Sequence, residues 1–220
     1  MNKEAVTGLK TLVTYSNPQS PAAEAYRQLR TNVQFSSLDH PIKSLLITST
    51  SLEEGKSTTL ANLAITFAQT GNSVILVDCD LRRPGLHELF GVSNERGLTS
   101  FFINGSSMEI PLVESGIENL RLITSGPLPP NPSELLGSKR MQDLLDELKS
   151  KAGYVLLDSP PIIAVTDAAV LAAQVDGVLL VLRAGKTKRE TALKAKAVLE
   201  RVNANLLGVV LNNVKHDTGY

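Results

Sequence analysis

At 220 residues the chain can bury one large core and stands at the upper end of what a single domain commonly holds. Apolar residues make up 42% and aromatics only 4%, so the core must be built from Leu, Val, Ile and Ala, which suits a buried parallel sheet covered by helices. Lys plus Arg and Asp plus Glu balance at 22 each, which argues against a nucleic-acid or anionic-membrane surface, and the single cysteine, Cys79, excludes an internal disulfide framework and fits a reducing cytosol.

Residues 1 to about 20 are polar, lack the apolar stretch of a secretory signal and, with Pro18 and Pro21, read as a mobile lead-in. A helix is expected over 21–35. Ala22, Tyr26, Leu29 and Val33 form its apolar stripe, and Glu24, Arg27 and Arg30 share a neighbouring charged face. From there short apolar runs alternate with helical patterns. The runs at 44–49, 73–78, 120–125, 154–158, 177–182 and 206–212 read as strands buried on both faces. Helices are expected at about 57–70, 138–151, 166–174 and 187–202, with Gly71 as a C-cap for the first of these four. The proline cluster at 127–132 reads as a rigid surface connection. The expected architecture is α/β, a mainly parallel sheet with helices on both faces, in one unit over 21–214 followed by a short tail at 215–220. No window approaches 18 apolar residues without a charge, so no bilayer span is expected and any work at a membrane requires a partner.

The strongest local signal is the run Ser49 to Thr58 between the first buried strand and the helix after it. In a phosphate-binding loop, backbone N–H groups and the helix N-terminus cradle phosphate oxygens. Glu54, Gly55, Lys56, Ser57 and Thr58 would line that cradle, with Lys56 reaching the β- and γ-phosphates and the Ser57 hydroxyl ligating Mg²⁺. Thr50 stands where the standard pattern has its first glycine, and Glu53 brings a carboxylate that must point outward if a triphosphate is to bind. Such a loop needs acids on neighbouring strand ends to hold the metal and its waters. Asp78 and Asp80 close the second strand and Asp158 closes the fourth, each at a carboxyl end where ligands bind in open α/β sheets. Lys56 would neutralise charge on the transferred phosphoryl group, and Asp78 is the candidate base for a hydroxyl nucleophile.

Several stretches together resemble the bacterial tyrosine autokinases that control capsular and extracellular polysaccharide synthesis. They are Glu24-x-x-Arg27-x-x-Arg30, the loop ending Gly55-Lys56-Ser57-Thr58, the segment Val77 to Pro84, the segment Ser125 to Leu136, Leu157-Asp158-x-Pro160-Pro161, and Leu207 to Asn212. The resemblance spans about residues 20–214. It implies an ATP- and Mg²⁺-dependent protein-tyrosine kinase on a P-loop fold like that of MinD and ParA. Asp78 and Asp80 would match the Walker A′ acids, Asp158 the Walker B acid that holds metal through water, and Asn212 a position near the adenine. It further implies a ring-shaped homo-oligomer assembled through Glu24, Arg27 and Arg30, and a transmembrane activator that recruits the cytoplasmic kinase to the inner face of the membrane. A cognate phosphotyrosine phosphatase and a C-terminal tyrosine substrate, here Tyr220, complete the implied set.

Two features depart from that pattern. Leu52-Glu53 replaces the usual Pro-Gly, and the tail carries one tyrosine where the family usually has several. Two other readings remain open, a MinD/ParA-type nucleotide-switched ATPase and a non-catalytic ATP-binding adaptor. The first lacks its usual second lysine here, since no lysine precedes Lys56 in the loop. His40, His87 and His216 lack metal-ligand spacing, and Arg82, Arg83 and Arg183 read by default as surface salt-bridge partners.

Overall fold

The computed structural model describes residues 8–36, 41–103 and 109–214. Its sheet has seven strands: β1 (Ser44–Ser49), β2 (Val74–Asp78), β3 (Val113–Glu114), β4 (Leu120–Ile123), β5 (Tyr154–Asp158), β6 (Gly177–Arg183) and β7 (Leu206–Asn212). Their spatial order is β3-β4-β2-β5-β1-β6-β7, and every neighbouring pair is parallel except the short edge pair β3–β4. The helices are α1 (Val13–Ser16), α2 (Pro21–Phe35), α3 (Lys56–Ala68), α4 (Leu86–Phe90), α5 (Leu98–Ile103), α6 (Pro132–Leu136), α7 (Lys139–Lys151), α8 (Asp167–Ala172) and α9 (Arg189–Arg201).

The period-two geometry of strands divides their apolar residues between two cores. On one face Leu45, Ile47, Leu76 and Leu156 pack with Leu60, Leu63 and Phe67 of α3 and Val33 of α2. On the other, Leu46, Ile75, Val77 and Leu157 meet Met141, Leu144 and Leu148 of α7, Leu171 of α8 and Leu199 of α9. Helix α3 is buried from Thr59 to Ala68, because α2 and the N-terminal segment cover the side that the sheet does not. Local chemistry agrees with the helix starts. Ser20 accepts from the Ala23 amide with Pro21 at the first helical position, and Ser138 accepts from Met141 N.

The strand and long-helix positions agree with the structure to within a few residues, but β7, expected to be buried on both faces, is an edge strand that leaves Val209 and Leu211 exposed because nothing pairs or packs beyond it among the described residues. The reading of residues 1 to about 20 as mobile needs correction over 8–20. Leu9 and Leu12 are buried in the α3-side core, and Thr14 donates through both its N–H and its hydroxyl to Asn62 Oδ1 at 2.9 Å each. Two leucines in a short polar segment give no periodicity, so their burial is visible only once a partner surface exists. Four short elements also escaped the sequence reading: α1, α4, α5 and the edge strand β3. The proline cluster leads directly into a fifth, α6, with Pro132 in its first turn. The tail with Tyr220 and His216, and the loop with His40, lie outside the described residues.

Candidate active site

Strand order explains the site. β1, which leads into the phosphate loop, lies beside β5, and β5 lies beside β2, so the loop and the acids at the ends of β2 and β5 open on one rim. Asp78 and Asp158 are register partners across β2 and β5. The loop bends through Glu53 at φ 60° and Gly55 at φ 87°. The dihedral at Gly55 favours glycine, and a Cβ there would also come within 2.1 Å of Asn212 Nδ2 and displace that side chain from the loop. No side chain caps the start of α3, which leaves its first amides for an anion.

Lys56 crosses that rim. Its Nζ lies 2.9 Å from Asp80 Oδ2, 3.5 Å from Asp158 Oδ2 and 3.1 Å from Ser57 Oγ. The Ser57 hydroxyl donates to Asp158 Oδ2 at 2.5 Å. Asp78, Asp80 and Asp158 are all buried. Asp78 accepts from the amides of Gly85 and Leu86 through Oδ2, at 3.1 Å each, and from the Asp80 amide through Oδ1 at 3.2 Å. Asp80 Oδ1 accepts from Arg83 N at 3.0 Å.

Three buried carboxylates around one ammonium cannot all stay at ordinary pKa values. Burial pushes Asp78 up to about 8, the charge of Asp158 adds to the rise, and the Leu86 amide and Lys56 oppose it. Burial also raises Asp158, with Lys56 and the Ser57 hydroxyl holding it back. For Lys56 burial works against the charge, but Asp158 and Asp80 outweigh it and hold the ammonium above its ordinary value. Cys79, between two of the acids and wholly buried, is pushed well above the ordinary thiol range by burial and by Asp78, which leaves it inert as a nucleophile.

Residues 45–220 match the family model of the CobQ/CobB/MinD/ParA nucleotide-binding domain. Over 206 residues the chain is 46% identical to the tyrosine-protein kinase YwqD of Bacillus subtilis (strain 168), covering 94% of this chain and 87% of that one. It is 38% identical to the putative tyrosine-protein kinase CapB of Staphylococcus aureus, covering 95% and 92%. The solved kinase domain of Escherichia coli tyrosine kinase ETK superposes with a TM-score of 0.88 at 35% identity, covering 95% of this chain and 82% of that one. The chain belongs to the bacterial tyrosine-protein kinases.

The kinase's remaining predicted residues fall in three places. Thr58 lies exposed in the first turn of α3, its carbonyl accepting from Asn62 Nδ2. Glu53 is exposed. Its backbone is left-handed, a conformation uncommon for a residue other than glycine. The buried Glu54 side chain accepts from Thr50 N at 2.7 Å, Ser51 N at 3.0 Å and the Thr50 hydroxyl. Asn212 sits against the loop, donating to the Glu54 carbonyl at 3.0 Å.

On α2, Glu24 and Arg27 pair with each other at 2.6 Å, and Arg27 also donates to the Pro18 carbonyl. Arg30 turns inward to donate to the Thr66 carbonyl at 3.0 Å, so Glu24, Arg27 and Arg30 do not form one solvent-facing row. Arg82 is exposed, but its partner is not. It grips the buried Asp167 with Nε and Nη2 at 2.9 and 3.0 Å, and Ser133 donates to the same carboxylate at 2.6 Å. This tie joins the segment after Asp80 to α6 and α8, and sequence reasoning missed it because its partners are far apart in the chain.

Proposed function

We propose that this kinase transfers the γ-phosphate of ATP to tyrosine, on copies of itself and on other proteins, in the regulation of capsular or extracellular polysaccharide synthesis. The observation that carries the reading is the convergence of Lys56, Ser57, Asp80 and Asp158 within hydrogen-bonding reach at one rim of the sheet, in a chain similar to tyrosine kinases along nearly its whole length.

The residues present fit ATP and Mg²⁺. Uncapped amides at the start of α3 suit phosphate oxygens, and Lys56 already spans the acids that a metal would face. Among the described residues no three His, Cys, Asp or Glu side chains could cage an ion alone. Ser57 would contact the metal directly, with Asp80 and Asp158 holding its waters. When bound, Mg²⁺ would neutralise charge on the β- and γ-phosphates.

The chain's own residues divide the remaining tasks. Lys56 leaves its acids for the phosphate oxygens and stabilises charge on the transferred group. Asp78 takes the proton from the tyrosine hydroxyl, and its pKa of about 8 places it near the range where a base works best at physiological pH. Asn212, beside the loop, would border the adenine. The polarity of the site suits a nucleotide-switched ATPase of the MinD type as well, but the kinases are the relatives of higher identity.

Among the described residues no helix is long and apolar enough to cross a membrane. We place the kinase in the cytoplasm, brought to the membrane by a transmembrane activator and opposed by a phosphotyrosine phosphatase. A homo-oligomer is also part of this reading. The outer side of α2 and the edge strand β7 enclose a groove of about 460 Å³ lined by Ala22, Ala25, Leu29, Val209 and Leu211, next to Glu24 and Arg27.

The test is to incubate the purified protein with γ-labelled ATP and Mg²⁺, with and without an activator peptide, and to map labelled residues. Phosphotyrosine is expected, Tyr220 among the candidates, and Lys56→Met is expected to abolish it while leaving the fold intact. Label recovered only as free phosphate would favour the ATPase, and no turnover at all the adaptor.

A further inference from the structure

The phosphate loop carries a buried carboxylate that the kinase chemistry leaves unused. Glu54 is 3% exposed beside the place where a triphosphate would rest, a position at which a negative charge opposes the ligand. Neutral donors surround it. Thr50 N and Ser51 N meet Oε2, and the Thr50 hydroxyl meets Oε1. A further donor comes from outside the loop, the Thr187 hydroxyl, which makes a very short bond to Oε1. Thr187 is itself fixed, because its oxygen accepts from Arg183 N at 2.9 Å and its amide donates to Arg183 O at 3.0 Å.

A second tie closes the ring. Arg183 pairs with Asn212 across β6 and β7, Ala184 N donates to Asn212 O at 2.8 Å, and the Asn212 amide reaches back to the Glu54 carbonyl. Thr187, in the segment after β6, and Asn212, ending β7, therefore grip Glu54 by its side chain and its backbone respectively. This loop needs such holding. It has Thr50 in place of the first glycine and a non-glycine residue, Glu53, in the left-handed region.

We propose that Thr187 is a positioning residue for nucleotide binding, which through Glu54 keeps the phosphate loop in its cradle shape before ATP arrives. The proposal rests on the ATP-binding reading above. Without the hydroxyl, part of the ordering of the loop falls on the ligand, which weakens ground-state and transition-state binding alike. Affinity then drops while turnover at saturating ATP is kept.

Calorimetric titration of wild type, Thr187→Val and Thr187→Ser with ATP and with ADP tests this. Thr187→Val should bind both nucleotides about 3–10-fold more weakly, the range of a typical net hydrogen-bond contribution. Its kcat should stay within about twofold of wild type, and Thr187→Ser should restore affinity. Wild-type affinity in Thr187→Val, or a serine variant as weak as the valine one, overturns the proposal. Glu54→Ala and Glu54→Ala/Thr187→Val provide a cycle, in which a double variant no weaker than Glu54→Ala supports the clamp and full additivity overturns it. Should Glu54→Ala fail to fold, the valine–serine comparison decides. A wild type that binds neither nucleotide would sink the ATP reading as well, whereas unaltered binding in Thr187→Val removes the clamp alone.

Discussion

Lys56 holds two buried acids together in the absence of ligand, and that has a pH signature. A carboxylate whose folded pKa is raised binds a proton that the unfolded chain has already released. Unfolding free energy therefore falls as pH rises between the ordinary carboxylate value and the raised one. For Asp78 that window runs from 3.8 to about 8, and Asp158 is raised as well. Lys56 lowers both, so Lys56→Met raises them further and steepens the fall, at about 1.4 kcal/mol per pH unit for each proton retained. We expect the ligand-free variant to be less stable than wild type at pH 8, with the gap closing toward pH 5. Denaturant melts at the two pH values read this directly, and an equal gap at both would remove the charge coupling.

Among the elements, the tie between Arg82 and Asp167 has the opposite sign. Burial alone would raise Asp167, but hydrogen bonds from Arg82 and Ser133 outweigh it and hold the carboxyl below its ordinary value. Stability from a lowered carboxylate is present above the unfolded pKa and disappears as pH falls through the folded one. Arg82→Met should therefore cost about 1–3 kcal/mol at pH 7 and progressively less as pH falls below the ordinary carboxylate value of 3.8, as chemical denaturation at each pH will report. Because Arg82 follows Asp80 so closely, the same variant should also lower kcat. The N-terminal segment offers an independent check on the packing. Leu12 is wholly buried in the core beneath α3, so Leu12→Ala should cost about 2–5 kcal/mol in a urea melt. A cost below about 0.5 kcal/mol, typical of a surface site, would return this segment to the mobile role its polarity suggested.

For the whole molecule the question is how copies meet. Glu24 and Arg27 already satisfy each other, an i,i+3 pair worth only a few tenths of a kcal/mol on an exposed helix. They can exchange that pairing for contacts across a subunit boundary at little cost. Glu24→Ala/Arg27→Ala should leave the monomer's melting temperature within about 2 °C while moving the species seen by light scattering toward monomer. An unchanged oligomer, or a wild type that is monomeric at all concentrations, would count against the ring.

The α/β class and the strand ends were readable in the sequence, and so were Lys56, Ser57, Asp78, Asp80 and Asp158 as candidates for one site, because each is written in neighbouring residues. Continuous apolar runs mark buried strands, and acids at their carboxyl ends mark the rim. Strand order is not local, and it decided that β2, β5 and β1 lie side by side and so that the acids meet one lysine. It also brought Thr187 to Glu54, Arg82 to Asp167 and Leu12 to α3, contacts whose partners stand tens of residues apart and leave no periodicity to detect. Sequence determined which groups could do the chemistry. Folding decided which of them face one another and which, like Glu54, are spent on holding the loop, because burial and hydrogen-bond partners are set by chain segments that meet only in three dimensions.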